Sequence, residues 1–321
     1  MKKTLVAVAA LAIAGGAFAQ SNATVSGKFG FAYTNGKDGT GAKSSGFGVT
    51  DGNITFAASE DLGGGMKAGV SMDVRVRGRG AAGVVDGRDA YVYLSGGFGT
   101  LKGGSVDALY QTLIDLAHPV QGQGLDSGNT NFNDGDEFVD MISYTTPDMS
   151  GFTATVMLGD ANGAGGMQSA AATRDFAQLG LAYSNGPLNA GFEYTSFGAN
   201  GTTAVSNCNG QFAECSKSRY RLSGNYALGM VTIGAGFGSE KYQTFTLKDT
   251  ALGVGATFGS TSVGLNYIRT KSSVAATTSG WEAVADYSMS KRTSVQVAYR
   301  AEDANAANTV TSFRTRLMHK F

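Results

Sequence analysis

The chain has 321 residues, of which 48 are glycine, two are cysteine and two are histidine, and its formal net charge at pH 7 is zero. This charge balance gives no indication of bulk electrostatic binding to nucleic acid. Two histidines and two cysteines are too few for a multi-histidine metal site or a zinc cluster, and we expect no cofactor. The glycines do not recur at every third position, which excludes a collagen-like chain. Tyrosine and phenylalanine are spread along the whole chain, which argues against disorder.

The first residues predict an export signal. Two lysines precede an apolar run over residues 5–14, and Ala17-Phe18-Ala19 has the small residues of a signal peptidase site. The apolar run is shorter than the roughly 20 residues that span a bilayer as a helix. We therefore predict a signal peptide over residues 1–19 and a mature domain over residues 20–321.

Apolar and polar residues alternate along the mature chain, as they do in strands with one apolar and one polar face. Phe29 and Phe31 share one parity near the start, and Tyr220, Leu222 and Tyr226 share one parity later in the chain. The apolar sets are often aromatic near strand ends, and the polar sets are rich in arginine and lysine. A barrel with lipid outside and water inside has this pattern, so the fold class is predicted to be all-β, a transmembrane antiparallel β-barrel.

Turn residues divide the alternating segments into strands, with short and long connections in alternation as in outer-membrane barrels. We predict about 16 strands, with fourteen or eighteen as the alternatives. The short turns fall at 61–65, 96–97, 147–148, 185–187, 259–260 and 289–290, and the longer polar segments at 35–45, 106–137, 161–174, 199–216, 240–246, 271–279 and 302–307.

One early strand carries several charges on a single parity. Lys67, Asp73, Arg75 and Arg77 alternate with methionine, alanine and valine. An arginine facing lipid at the bilayer midplane costs about 2–4 kcal/mol, so this parity is predicted to face the lumen. The alternative for Arg75 and Arg77 is a solvated position beyond the membrane.

Cys208 and Cys215 lie in a long polar segment of a chain predicted to be exported. An even cysteine count in an oxidising compartment favours one disulfide within this loop, and two free thiols are the alternative. Closing the loop with this disulfide would stabilise the ordered loop by a few kcal/mol.

The last strand has apolar residues at even steps up to a terminal aromatic residue. Phe313, Leu317 and Phe321 share the apolar parity, whereas Arg314 and Arg316 share the other. This ending resembles the assembly signal that the bacterial barrel-insertion machinery recognises. An ordinary amphipathic last strand is the alternative.

Three motifs in chain order resemble those of the Gram-negative porin family. Residues 59–68 read SEDLGGGMKA, residues 96–101 read GGFGTL, and residues 317–321 read LMHKF. Together with the signal peptide, the resemblance extends over the whole chain. It implies a sixteen-stranded outer-membrane barrel, a homotrimer, and a long third loop folded into the pore.

The resemblance also directs attention to particular pore positions. If the third loop folds inward, Asp107, Asp115 and further acids in 126–137 are expected to face the arginine-bearing strand, and such opposed charges bias ion passage. A soluble acidic rim is the alternative. Asn53 stands where relatives have a pore-facing arginine, so the expected anion preference is slight.

From these observations we predict a general diffusion porin in the outer membrane of a Gram-negative bacterium, which passes ions and small hydrophilic solutes. Its expected partners are further copies of itself, outer-membrane lipids and the barrel-assembly machinery, and not nucleic acid. A solute-specific channel, for example for sugars or carboxylates, and an exported β-adhesin are the alternatives. An enzyme is not expected, because His118 has no nucleophile motif nearby and His319 lies two residues from the terminus, on the parity predicted to face lipid.

Overall fold

The computed structural model describes residues 22–76, 85–107, 111–125, 138–160, 175–197, 208–209, 214–303 and 308–321. The predicted signal peptide and Arg77 therefore lie outside the described residues, as do the acids of 126–137. For Asp107 the backbone is described but not the side chain.

Sixteen strands close into one antiparallel barrel in which the first strand pairs with the last. The first eight are β1 (Asn22–Lys37), β2 (Lys43–Gly63), β3 (Met66–Val76), β4 (Val85–Gly96), β5 (Gly99–Asp107), β6 (Phe138–Thr145), β7 (Phe152–Asp160) and β8 (Asp175–Asn185). The others are β9 (Leu188–Phe197), β12 (Ser218–Leu228), β13 (Val231–Lys241), β14 (Thr246–Phe258), β15 (Thr261–Ser272), β16 (Thr278–Ser288), β17 (Thr293–Asp303) and β18 (Val310–Lys320).

Three further elements lie in the long connections. Helix α1 (Gln111–Ala117) follows β5, and the short strands β10 (Cys208–Asn209) and β11 (Glu214–Cys215) form a separate two-stranded ribbon between β9 and β12. Within the described ranges, no helix is long and apolar enough to cross a membrane.

The predicted count of sixteen strands is confirmed, but two of the connections were not recognised in the sequence. The sequence of residues 77–84, between β3 and β4, continues the alternation of the preceding strand, so the pattern did not predict a break there. Gly229-Met230, between β12 and β13, lacks the Asn, Asp or Pro that marks most turns. Gly229 has a φ of 64°, in the left-handed region where glycine is favoured.

The two faces of the barrel have the polarity expected from the alternation. In β12, Leu222 is 54% exposed on the outer face, whereas the neighbouring Arg219 and Arg221 are fully buried on the lumenal face. Arg219 lies 3.8 Å from the Glu193 carboxylate of β9. Because outward side chains are apolar and inward ones are charged and paired, the wall suits lipid outside and a polar interior.

The apolar core lies on the inner surface of the wall rather than at the centre of the barrel. Leu113 and Ala117 of α1, with Leu125 after it, form a buried cluster with Ala251 of β14 and Ile268 of β15. The predicted insertion of the third loop is thus confirmed for residues 111–125, which we call the inserted segment.

The β10–β11 ribbon places the two cysteines directly opposite each other. Opposed residues of an antiparallel pair have Cα atoms about 4.5–5.5 Å apart, within the range that a disulfide requires. The side chains of Cys208 and Cys215 lie outside the described part of the structure, so the disulfide stays a prediction.

The terminal strand has the predicted orientation. Phe313, Leu317 and Phe321 are exposed on the outer face. The N–H of Phe321 donates to the Gly27 carbonyl, and the Gly27 N–H donates to the Phe321 carbonyl, both at 3.0 Å. A Cβ placed on Gly27 would lie 2.6 Å from the Phe321 ring, so the ring covers this glycine at the seam between β1 and β18.

Candidate functional site

Glycines on the lumenal face allow the inserted segment to lie directly on the barrel wall. A Cβ added to Gly234 would come within 2.5 Å of the Leu116 carbonyl oxygen, and one added to Gly264 would come within 2.7 Å of Val120 Cβ. A Cβ on Gly253 would meet the Ala117 carbonyl oxygen even more closely. Such approaches are too short for any side chain, so these strands need glycine where the segment crosses them.

Amide side chains on the same wall bind the backbone of the inserted segment. Their amide groups donate to carbonyl oxygens that α1 and the following residues leave without a helical partner. The bonds run from Asn225 Nδ2 to Leu116 O (3.3 Å), from Asn266 Nδ2 to Val120 O (2.8 Å) and from Gln296 Nε2 to Gln121 O (3.0 Å). The segment is therefore held by strands β12, β15 and β17 together.

Charged side chains complete this attachment. Glu282 of β16 accepts the backbone N–H of Gly122 at 3.1 Å. Arg314 Nη2 of β18 donates to the carbonyl of Gly122 at 2.6 Å, and Arg300 Nη1 of β17 donates to the carbonyl of Gly124 at 2.8 Å. Charge-assisted hydrogen bonds are stronger than neutral ones, so these residues fix the segment after α1.

His118 is buried where the segment lies on the wall, with 3% of its surface exposed. Its Nε2 lies 3.1 Å from the Tyr267 carbonyl oxygen, which can only accept, so Nε2 carries the proton. Burial disfavours the charged ring and lowers the pKa of His118 to about 4, although the bond to Tyr267 opposes this shift. His118 is therefore neutral at pH 7.

Asp115 is the predicted loop acid whose side chain the structure describes. It is exposed on α1 and accepts a hydrogen bond from Gln121 Nε2. Surrounding protein partly desolvates its carboxylate and raises its pKa, whereas the bond from Gln121 acts in the opposite direction.

The strands away from the inserted segment, β1–β5, form what we call the open wall, and three of the predicted lumenal residues meet on it. Asn53 pairs with Arg75 and Thr55 pairs with Asp73 in the β2–β3 register. Asn53 Nδ2 donates to Asp73 at 2.8 Å, and the Thr55 hydroxyl donates to Asp73 at 3.2 Å. Lys67 is on the same face but lies at the far end of β3, opposite Asp61.

Several lumenal charges were not singled out from the sequence. Lys28 of β1 and Arg316 of β18 both bind Asp51, at 3.2 Å and 2.8 Å. Lys320 of β18 and Arg88 of β4 line a recess near this group, where the open wall meets β18. The alternation did place Arg316 on the polar parity of the last strand, but parity alone does not show which charges on distant strands meet.

Two tyrosines of β4 also face the lumen. Tyr93 pairs with Gly69 and Tyr91 with Ser71, residues that share the lumenal parity of Asp73 on β3. The Tyr91 and Tyr93 ring centroids are 6.4 Å apart, and the Lys102 ammonium lies 4.3 Å from the Tyr91 ring centre.

The site is thus a lumen that the inserted segment narrows from one side and fixed charges line from the other. Charged rings and walls of this kind bias ion passage, while a polar surface allows hydrated solutes to pass.

Comparison with protein families gives a match over most of the chain. A model described as "Gram-negative porin" matches residues 4–307. Outer membrane porin protein 32 of Delftia acidovorans is 34% identical over 176 residues, which are 48% of this chain and 48% of that protein. Major outer membrane protein P.IA of Neisseria meningitidis serogroup C is 34% identical over 106 residues, 32% of this chain and 27% of that protein. The matches span about half or less of these curated relatives.

Solved structures share the fold. An anion-selective porin from Comamonas acidovorans aligns with a TM-score of 0.71 at 20% identity, covering 94% of this chain and 100% of that chain. OmpF of Salmonella typhi, in a complex with daunomycin, aligns with a TM-score of 0.72 at 12% identity, covering 93% of this chain and 97% of that chain.

Proposed function

This chain belongs to the Gram-negative porin family, and on that premise we propose that it is a general diffusion porin of the outer membrane. It forms a water-filled passage for ions and small hydrophilic solutes, driven by their concentration gradients. The observation that carries the proposal is a closed barrel with an apolar outer face, a polar lumen and a loop segment bound along its inner wall.

Two features of the lumen support a general channel. The inserted segment lies along one wall and binds to it through several strands, which leaves the charged open wall facing the passage. The wall charges are mixed in sign, with Lys67 and Arg75 on the same strand as Asp73. Mixed fixed charges orient hydrated ions without the narrow coordination that a selective filter needs.

Planar-bilayer conductance of the purified mature protein tests the proposal. Stepwise conductance increases that scale with bulk conductivity support a water-filled pore, and bilayers that stay silent after insertion of well-folded protein contradict it. Heat-modifiable migration on gels supplies the check on folding. Heat-modifiable migration, together with extraction that requires detergent, also distinguishes a barrel from an exported adhesin.

We propose a slight anion preference and a homotrimeric assembly. Arg75 and Lys28 face the lumen and favour anions, and the Comamonas acidovorans neighbour is an anion-selective porin by name. A structural neighbour from Vibrio cholerae is described in a trimer form. The reversal potential in a salt gradient tests the preference, and conductance steps in threes with crosslinking test the assembly.

A solute-specific channel is the second candidate, favoured by the lumenal tyrosine pair. Aromatic rings bind the faces of sugars, and the Tyr91 and Tyr93 rings, inclined at 50° to each other, lie close together on β4. A saturable decrease of ion conductance on adding a neutral sugar would support this candidate, and an unchanged conductance would favour the general channel.

The remaining proposals concern maturation and chemistry. We propose that export removes residues 1–19, which N-terminal sequencing of the outer-membrane protein tests. A catalytic role is not proposed, because His118 is buried against Tyr267 and His319 is on the outer face beside Thr293. The loop disulfide between Cys208 and Cys215 is tested by thiol labelling before and after reduction.

A further inference from the structure

We propose that a basic patch on the outer face of the barrel binds a phosphorylated lipid headgroup, at the end of the barrel that carries the long connections. The patch consists of Lys248 of β14 with Arg269 and Lys271 of β15, and Lys241 at the end of β13 extends it. We call these four residues the outer basic patch. This inference goes beyond the passage of solutes, because it concerns a contact between the barrel and its own membrane.

Alternation along two neighbouring strands places the patch on the outer face. On β14, Lys248 is exposed and the next residue, Asp249, is buried on the lumenal face. On β15, Arg269 and Lys271 are exposed on either side of the buried Thr270. Lys248 and Lys271 are directly opposed in the β14–β15 register, which brings their Cα atoms to about 4.5–5.5 Å. Three cations therefore share a small area of the wall that faces lipid.

The position along the barrel axis puts the patch at the level of lipid headgroups. β14 runs from Thr246 at the long-connection end to Phe258 at the short-turn end, and Phe258 is exposed on the outer face. Strands rise about 3.3 Å per residue and tilt about 40° from the barrel axis, so Lys248 lies about 25 Å from Phe258 along that axis. The apolar band of an outer-membrane barrel is about 25 Å tall. Lys248 is therefore at the boundary of this band, where lipid phosphates lie.

Aromatic side chains mark the same boundary. Tyr267 lies two residues from Arg269 on the outer face of β15 and pairs with Trp281 of β16. The Trp281 ring centroid is 5.5 Å from that of Tyr299 on β17, and both side chains are exposed. Such aromatic rings are typical of the membrane–water interface. A lipid with its phosphate on the patch would extend its acyl chains along Tyr267 and the exposed Leu265.

Acids on the same face do not neutralise the patch. Within the described ranges, none of its four side chains forms an ion pair. Asp303 of β17 is an exposed acid near it in the register, since it pairs with Ser279, which in turn pairs with Arg269. Two strand spacings, about 10 Å, thus separate Asp303 from Arg269. Glu240 and Asp249 are buried on the lumenal side of the wall.

A phosphorylated headgroup matches this arrangement. Ammonium and guanidinium groups form charge-assisted hydrogen bonds with phosphate oxygens. Each Lys or Arg beside an anionic membrane surface strengthens association by about fivefold. A zwitterionic headgroup gains less, because its own ammonium group opposes the charge of the patch. A lipid is favoured over free phosphate, because its acyl chains also contact the apolar wall beside the patch.

Trp281 supplies a built-in probe for the test, since it is the one tryptophan of the sequence and pairs with Tyr267 beside the patch. Purified protein is reconstituted into phosphatidylcholine vesicles that contain phosphatidate, and the acyl chains of one lipid at a time carry bromine. Bromine quenches tryptophan fluorescence at short range, so quenching by each lipid measures its relative binding beside Trp281. We expect phosphatidate to be enriched there at least about tenfold over phosphatidylcholine, from the attraction of several cations.

Lys248→Gln/Lys271→Gln should lower this enrichment at least about fivefold, because two charges of the patch are lost. Lys248→Arg/Lys271→Arg should keep it, because charge and donors remain. Lys291→Gln/Arg292→Gln is the matched control: it removes the same charge from exposed side chains at the short-turn end and should leave the enrichment unchanged. Heat-modifiable migration confirms folding of each variant, and Arg269→Gln, which should also lower the enrichment, replaces the double lysine variant if that one does not fold.

Equal quenching by the two lipids would overturn the headgroup site and leave the porin function intact, since conductance is measured separately. An equal loss of enrichment in Lys291→Gln/Arg292→Gln would also overturn it, because the effect would then come from overall charge. Reversal of the enrichment by inorganic phosphate at constant ionic strength would indicate a site for the free ion and overturn the lipid site. A silent bilayer with normal enrichment would instead contradict the porin function and support the site.

Discussion

Acidification should weaken the attachment of the inserted segment to the wall through His118. The ring is buried and neutral, with a pKa lowered from 6.5 to about 4 by desolvation. If the segment detaches, the ring is hydrated and its pKa returns to the usual value of about 6.5. Between these values the detached form binds more protons, so the attachment weakens as the pH falls from 6.5 towards 4 and is insensitive to this group above 6.5.

The magnitude follows from the two pKa values. At pH 5 the difference in proton binding favours detachment by about 2 kcal/mol, which is about thirtyfold in the equilibrium constant. The full difference, reached below pH 4, is about 3 kcal/mol. This is comparable with two or three of the hydrogen bonds that hold the segment, at about 1 kcal/mol each.

Amide hydrogen exchange of residues 114–122 measures this opening, after correction for the intrinsic pH dependence of exchange. His118→Gln is the control, because an amide side chain can still donate to Tyr267 O but does not titrate. We expect the original protein to lose protection between pH 6.5 and 4.5 relative to this variant. Other titrating groups that contact or adjoin the segment, Asp115 and Glu282, remain in both proteins and cancel in the comparison.

Equal pH dependence of exchange in the original protein and in His118→Gln would refute the reasoning. It would mean either that the buried ring is hydrated in place or that the segment does not detach. Current noise in planar bilayers over the same pH range gives an independent measure, since a detached segment changes the width of the pore.

Three further changes test other parts of the structure. Gly264→Val should displace the inserted segment, because Val120 leaves no room for a side chain, and altered single-channel conductance with normal heat-modifiable migration would show it. Arg75→Gln combined with Arg77→Gln should shift the reversal potential towards cation preference at low salt. The shift should be smaller at high salt, because salt screens the fixed charges. An unchanged reversal potential at low salt would place both residues outside the narrow part of the pore. Deletion of Phe321 should reduce the amount of assembled protein in the outer membrane, and normal amounts of heat-modifiable protein would contradict that expectation.

Local pattern was sufficient to predict the barrel, whereas the inserted loop was predicted only from the family resemblance. A strand has a period of two, so the parity of each residue assigns its side chain to lipid or lumen before any neighbour is known. The alternation around Leu222 predicted its outward face correctly. The two connections that were missed are 77–84, in which alternation continues, and Gly229-Met230, in which glycine stands without the Asn, Asp or Pro that marks most turns.

The tertiary structure alone decided which lumenal residues meet. Lys28 and Lys320 are separated by almost the whole chain, and they become neighbours only because the barrel closes between β1 and β18. Likewise, Gly264 and Glu282 have no local signature of contact with a loop, since their role depends on where the inserted segment lies. Parity fixes the face that a side chain occupies, whereas register and closure fix its partners, and these depend on pairing between strands distant in sequence.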